Sequence, residues 1–93
     1  MATNALIVDE ANGVRTLFSR ILRSLECVTF EATDGVEALA LLDTTDINLA
    51  VIEAEMSLLS GLDLLQAIRS TERHAHMTVV ITTSGADQAT VAE

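Results

Sequence analysis

Two apolar runs in this chain end on acids. Ala5-Leu6-Ile7-Val8 leads straight into Asp9-Glu10, and Leu49-Ala50-Val51-Ile52 leads into Glu53, followed by Ala54, Glu55 and Met56. Uninterrupted runs of this kind read as strands buried on both faces, the pattern of the middle of a parallel sheet. In an open α/β sheet, ligands bind just outside the carboxyl ends of the strands. Asp9, Glu10 and Glu53 are therefore candidates for one acidic pocket. An acid inside an apolar strand needs a partner. Three carboxylates together attract a divalent cation and raise at least one pKa when the cation is absent.

The other chemistry-bearing residues point to less. His74 and His76 alternate, as metal ligands on a strand would, but no acid or cysteine ligand lies near them in sequence, so no metal site is expected there. Cys27 is the only cysteine and reads as a small half-buried hydrophobe. No serine and histidine are spaced as nucleophile and base, no glycine-rich phosphate loop follows the first strand, and no zinc spacing occurs. The chain is not expected to be an independent enzyme.

Four strands and the helices between them must position the acids. After the turn 11–13, Val14, Leu17, Phe18, Ile21, Leu22 and Leu25 recur at three- and four-residue steps, which predicts a helix with these residues in the core. Arg15, Ser19, Arg20 and Arg23 take the opposite face. Residues 27–32 alternate as an edge strand does. Asp34 followed by Glu37 predicts an N-cap with a reciprocal acid for a helix over 35–43. The central strand spans 48–53, a helix runs from Leu62 to about residue 72, and the β-branched stretch 78–83 is a fourth strand. Residues 86–93 read as the start of another helix. Gly61 reads as a turn glycine that needs positive φ. Alternation of this kind with short crossovers predicts right-handed βαβ units and a parallel sheet in a single domain over residues 1–93.

Composition narrows the function classes. The net charge of −9 disfavours a nucleic-acid surface, and 2% aromatic residues leave no platform for stacking bases. No apolar run approaches the ~20 residues that cross a bilayer. The N-terminus has no basic region ahead of an apolar one, and a single cysteine cannot form an internal disulfide, so a cytoplasmic protein is expected. All five basic residues are arginines, and lysine is absent.

Ala5-Leu-Ile-Val-Asp9-Glu10, Val14-Arg15, Ala32-Thr-Asp-Gly35-Val-Glu37-Ala38-Leu39, Met56 and Gly61 fall in register with one pattern. Together they resemble the receiver domain of two-component response regulators, without a gap along the chain. The resemblance implies a flavodoxin-like sheet of order 2-1-3-4-5 with helices on both faces, here without the last strand and helix. It implies phosphoryl capture by an aspartate at the end of the third strand, with Mg²⁺ held by the acid pair and by a backbone carbonyl two residues beyond the aspartate. Matched position by position, Asp9 and Glu10 are the acid pair, Glu55 supplies the carbonyl, and Thr83, followed by Ser84, is the switch hydroxyl. Glu53 falls on the phosphoacceptor, where the family has aspartate. Its extra methylene pushes the carboxylate toward the space of metal and phosphoryl group. Glu10 is also longer than the commoner aspartate, Ser57 stands where proline is usual, and no lysine is present to contact the phosphoryl oxygens.

The resemblance thus implies an atypical receiver, a pseudo-receiver, that signals through protein partners such as a histidine kinase or an output protein. Mg²⁺ is expected to bind weakly if at all. The rival reading is a fragment of a Mg²⁺-dependent, phosphorylatable receiver with an altered acceptor. A flavodoxin-like small-molecule binder is disfavoured by the absent phosphate loop and aromatics. With no fifth strand beside it, the fourth strand should present an open apolar edge, and part of the Val14–Leu25 stripe should lose its cover. A homodimer with Val79–Thr83 and residues 84–93 at the contact is the expected remedy.

Overall fold

The computed structural model describes residues 2–83 and the backbone of 89–92. Strand β1 (Thr3–Val8) is followed by α1 (Asn12–Ser24), β2 (Cys27–Ala32), α2 (Gly35–Thr44), β3 (Leu49–Glu53), α3 (Gly61–Ser70), a 3₁₀ turn (Glu72–His74), β4 (Thr78–Thr82) and β5 (Ala89–Ala92). The sheet order is β2-β1-β3-β4-β5, and the first four strands pair in parallel. This is the expected flavodoxin-like arrangement, with helices on both faces.

Alternation along the inner strands divides the core in two. Leu6, Val8, Ala50, Ile52, Val79 and Ile81 pack with Ala38 and Leu42 of α2 and Leu64 and Ile68 of α3. Ala5, Ile7 and Val51 face the other way, toward Leu22 and Phe18 of α1, with half-buried Cys27 beside them. Among the described residues the first face carries two helices and the second carries one.

The thinner face corrects the reading of α1. Leu22 is buried and Val14 and Phe18 are half-buried, but Leu17, Ile21 and Leu25 are 56%, 45% and 68% exposed. Ser19, expected on the outer face, is instead buried, and its hydroxyl has no hydrogen-bond partner among the described residues. The helix is rotated so that half of its apolar stripe stands beside the sheet instead of over it. Part of the stripe does lack cover, as expected. Asn12 and Gly13, expected in a turn, form the first residues of α1.

The end of the chain gives a second correction. Residues 89–92 form a strand, not a helix, and pair antiparallel with β4 from Val79↔Ala92 to Thr82↔Ala89. The backbone edge of β4 is thereby paired within the chain from Val79 to Thr82, which overturns the open edge expected over Val79–Thr83. Among the described residues no helix is long and apolar enough to cross a membrane.

Local signals hold better. The Asp34 carboxylate accepts from the Glu37 amide at 2.8 Å and so caps α2. Glu37 does not reciprocate as expected; its carboxylate accepts from the Thr33 hydroxyl at 3.0 Å. Ser60 caps α3 by accepting from the Asp63 amide at 3.2 Å. Gly61 is required by crowding and not by positive φ, since an added Cβ would lie 2.1 Å from the Glu53 carbonyl oxygen and 2.8 Å from Ala54 Cα. Among the described non-glycine residues, Glu26 and Leu59 are left-handed, at φ 65° and 63°.

Two glycines therefore respond oppositely to the same change. Gly61→Ala forces backbone apart at the end of β3 and should cost about 3 kcal/mol or more. Gly13→Ala meets nothing within 4 Å in the first turn of α1, and should stabilise the fold by about 0.5 kcal/mol. Urea midpoints of the two variants measured beside the parent check both signs.

Candidate functional site

Val8 of β1 stands opposite Ile52 of β3, so the next residues, Asp9 and Glu53, leave the sheet side by side. Asp9 is buried at 6% exposure. Its amide donates to the Ala32 carbonyl at 3.2 Å, and its Oδ1 accepts from the Ala11 amide at 2.8 Å. The carboxylate thus fixes the turn into α1. Glu53 is half-buried and pairs in register with Thr82 of β4. Burial, then the neighbouring Asp9, with a smaller push from the Glu10 charge, raise its pKa to about 7 against the opposing pull of the Glu10 amide.

The Glu10 side chain is turned away from this pair. Its Oε2 accepts from the Ser57 hydroxyl at 2.8 Å and its Oε1 from the Ser57 amide at 3.3 Å. Arg15, expected on the outer face of α1, has only 12% of its side chain exposed. It donates to the Asp9 carbonyl at 2.7 Å and to Asn12 Oδ1 at 3.1 Å, and pairs with Glu31 at 3.3 Å. The guanidinium therefore stays on the backbone side of Asp9. Glu55 is exposed in the loop after β3, and Thr83 is exposed one residue beyond β4. Ser84 lies outside the described residues.

The loop from Ala54 to Ser60 is tied to the neighbouring strand and helix ends. The Gly61 amide donates to the Ala54 carbonyl at 2.9 Å, and the Ala54 amide to the Thr82 carbonyl at 2.8 Å. The Gly35 amide reaches the Leu58 carbonyl at 3.3 Å, where a Cβ on Gly35 would meet the Leu59 carbonyl at 2.8 Å. Elsewhere, His74 is buried against a cavity of about 270 Å³ between α2 and α3, whereas His76 is exposed. The two histidines do not share a face.

The sequence matches the family described as "Response regulator receiver domain" over residues 5–93. The chain belongs to the response regulator receiver family. It is 35% identical over 89 residues to the chemotaxis protein CheY of Pseudomonas aeruginosa, covering 95% of this chain and 72% of that protein. It is equally identical to CheY-3 of Vibrio cholerae, covering 95% and 68%. A response regulator receiver protein from Pseudomonas putida superimposes with a TM-score of 0.84 at 27% identity, over 94% of this chain and 72% of that one. CheY4 of Vibrio cholerae does so at 0.83 and 22% identity, over 91% and 73%, a likeness of fold alone.

Receivers generally hold Mg²⁺ at an acidic site, for which Asp9, Glu10 and Glu53 are the candidates in this chain. The oxygen donors are of the right kind, but their arrangement does not fit the ion. Glu10 accepts from Ser57, and among the described residues no three of His, Cys, Asp or Glu are grouped to hold a metal. The Ser57 contact could not be read from spacing, because its partner lies 47 residues away in sequence.

The raised Glu53 pKa has a stability consequence of definite sign. The folded pKa lies near 7 against an ordinary 4.5, so the group's favourable contribution is complete below about 4.5 and is lost as pH rises through 7. In metal-free buffer, Glu53→Gln should match the parent near pH 4.5 and exceed it at pH 8. The excess should be about 1 kcal/mol once solvent screening of a half-buried group is allowed for. Urea unfolding of both proteins across this range measures the difference.

Proposed function

We propose that this receiver signals without phosphorylation, as a pseudo-receiver whose acid pair is held in one state. The observation that carries the reading is the register of β1 and β3, which sets Glu53, the longer acid at the acceptor position, beside buried Asp9, where its pKa is raised to about 7. A phosphoaccepting carboxylate must be ionised and free to attack, with positive charge beside the transferred group. Here the acceptor position carries a longer side chain next to a second acid, and the one arginine close by faces a backbone carbonyl and Glu31. The rival, a Mg²⁺-dependent receiver with an altered acceptor, needs Glu53 ionised and Glu10 released from Ser57.

Such a domain acts through protein contacts, with a histidine kinase or an output protein as partner. The surface best suited to contact is the α1 ridge of Leu17, Ile21 and Leu25 beside Arg20, on a helix that contains three arginines and no acid. Exposed apolar surface of this kind marks interaction sites. In the absence of another partner, a second copy covers the ridge in a closed two-fold dimer. With β4 paired by β5, α1 is a better seat for that contact than the β4 edge.

Two measurements test the reading. Incubation with a small-molecule phosphodonor and Mg²⁺ should add no phosphoryl mass to the intact protein; stoichiometric addition would establish the rival. Sedimentation equilibrium at micromolar concentration should give twice the 9.9 kDa chain mass. Replacing Leu17 and Ile21 with polar residues should return the monomer, while a monomeric parent removes the dimer from the proposal.

A further inference from the structure

Glu10 follows Asp9 directly at the carboxyl end of β1, where the β1–β3 register brings Glu53 alongside. Its backbone therefore belongs to the acid pocket, while its carboxylate does not. Both carboxylate oxygens meet donors from a single residue in the loop after β3: the Ser57 hydroxyl at 2.8 Å and the Ser57 amide at 3.3 Å. A carboxylate has acceptor capacity left after two such bonds, so Ser57 does not satisfy Glu10 so much as locate it.

We infer that Ser57 is a positioning residue that holds Glu10 out of the pocket and so keeps three carboxylates from closing on a divalent cation. Released from Ser57, the Glu10 carboxylate is tethered at the mouth of the Asp9–Glu53 pair, with a side chain long enough to turn inward. Three oxygen donors around one point favour Mg²⁺ or Mn²⁺, and the added negative charge strengthens the attraction for the cation. The alanine side chain removes the shorter bond. Proline removes both, since it has neither hydroxyl nor amide hydrogen.

The inference rests on the reading that Asp9 and Glu53 form a metal-free pair, and its test is separate from that of phosphorylation. Calorimetric titration with Mn²⁺ is made on the parent, Ser57→Ala, Ser57→Pro, Ser57→Thr and the double variant Glu10→Gln/Ser57→Ala. Ser57→Ala should bind Mn²⁺ at least about tenfold more tightly than the parent, an effect of the size expected from one added carboxylate ligand. Ser57→Thr retains both donors and should behave as the parent. The double variant should lose the gain. A purely structural role for Ser57 would change the urea midpoint but leave Mn²⁺ affinity level across the series. Equal affinity in parent and Ser57→Ala overturns the inference, as does a gain that survives Glu10→Gln. If Ser57→Pro fails to fold by circular dichroism, the alanine and threonine variants still decide. Phosphoryl labelling of the parent would sink the pseudo-receiver reading whatever the Mn²⁺ result.

Discussion

Adjacent parallel strands in register deliver their next residues to the same level of the sheet edge, and here both residues are acids. Asp9 and Glu53 leave β1 and β3 directly after the Val8↔Ile52 pair, one buried and the other half-buried. Two carboxylates set side by side and partly withdrawn from water resist ionising together. The answer in this fold is a Glu53 pKa raised to about 7, while the Asp9 carboxylate accepts from the Ala11 amide.

The surroundings hold that answer in place. Gly61 allows α3 to start against the Glu53 carbonyl, where any side chain would collide. Gly35 admits the Leu59 backbone in the same way, and Leu59 accepts a left-handed conformation to make the approach. Conformations of this kind cost of order 1 kcal/mol and persist where neighbours over-determine them. The loop after β3 is thus fixed at Ala54, at Leu58–Leu59 and, through Ser57, at Glu10. A loop tied at three points keeps the carboxyl ends of β1 and β3 at a set distance.

Much of this was legible in the sequence. Apolar runs ending on acids gave the inner strands and the Asp9–Glu53 neighbourhood, because strand burial and strand-end chemistry are local properties of the chain. Caps at Asp34 and Ser60 are local too, though only the first was anticipated. Periodicity identified the apolar stripe of α1 but could not say how much sheet was available to cover it, and so Leu17, Ile21 and Leu25 were misplaced in the core. The burial of Ser19 and Arg15 follows from the same rotation of the helix. Residues 89–92 are held as a strand by the β4 backbone, a tertiary partner that no local propensity names. The Glu10–Ser57 bond is likewise long-range, and a loop serine carries no periodic signal.

Helix α1 connects the two features that matter for function. Its N-terminus begins in the turn fixed by the Asp9 carboxylate, and Arg15, one turn on, donates to the Asp9 carbonyl while pairing with Glu31 of β2. Leu17 and Ile21 follow within two further turns of Arg15 and are open to solvent. Any protein seated on that ridge therefore leans on the helix whose start Asp9 fixes. Packed helices move as rigid bodies, so a contact there is transmitted to Arg15 and the Asp9 turn without an intervening flexible segment. The exposed face of α1 is thus an arginine-flanked apolar ridge on a helix whose first turn is set by a carboxylate.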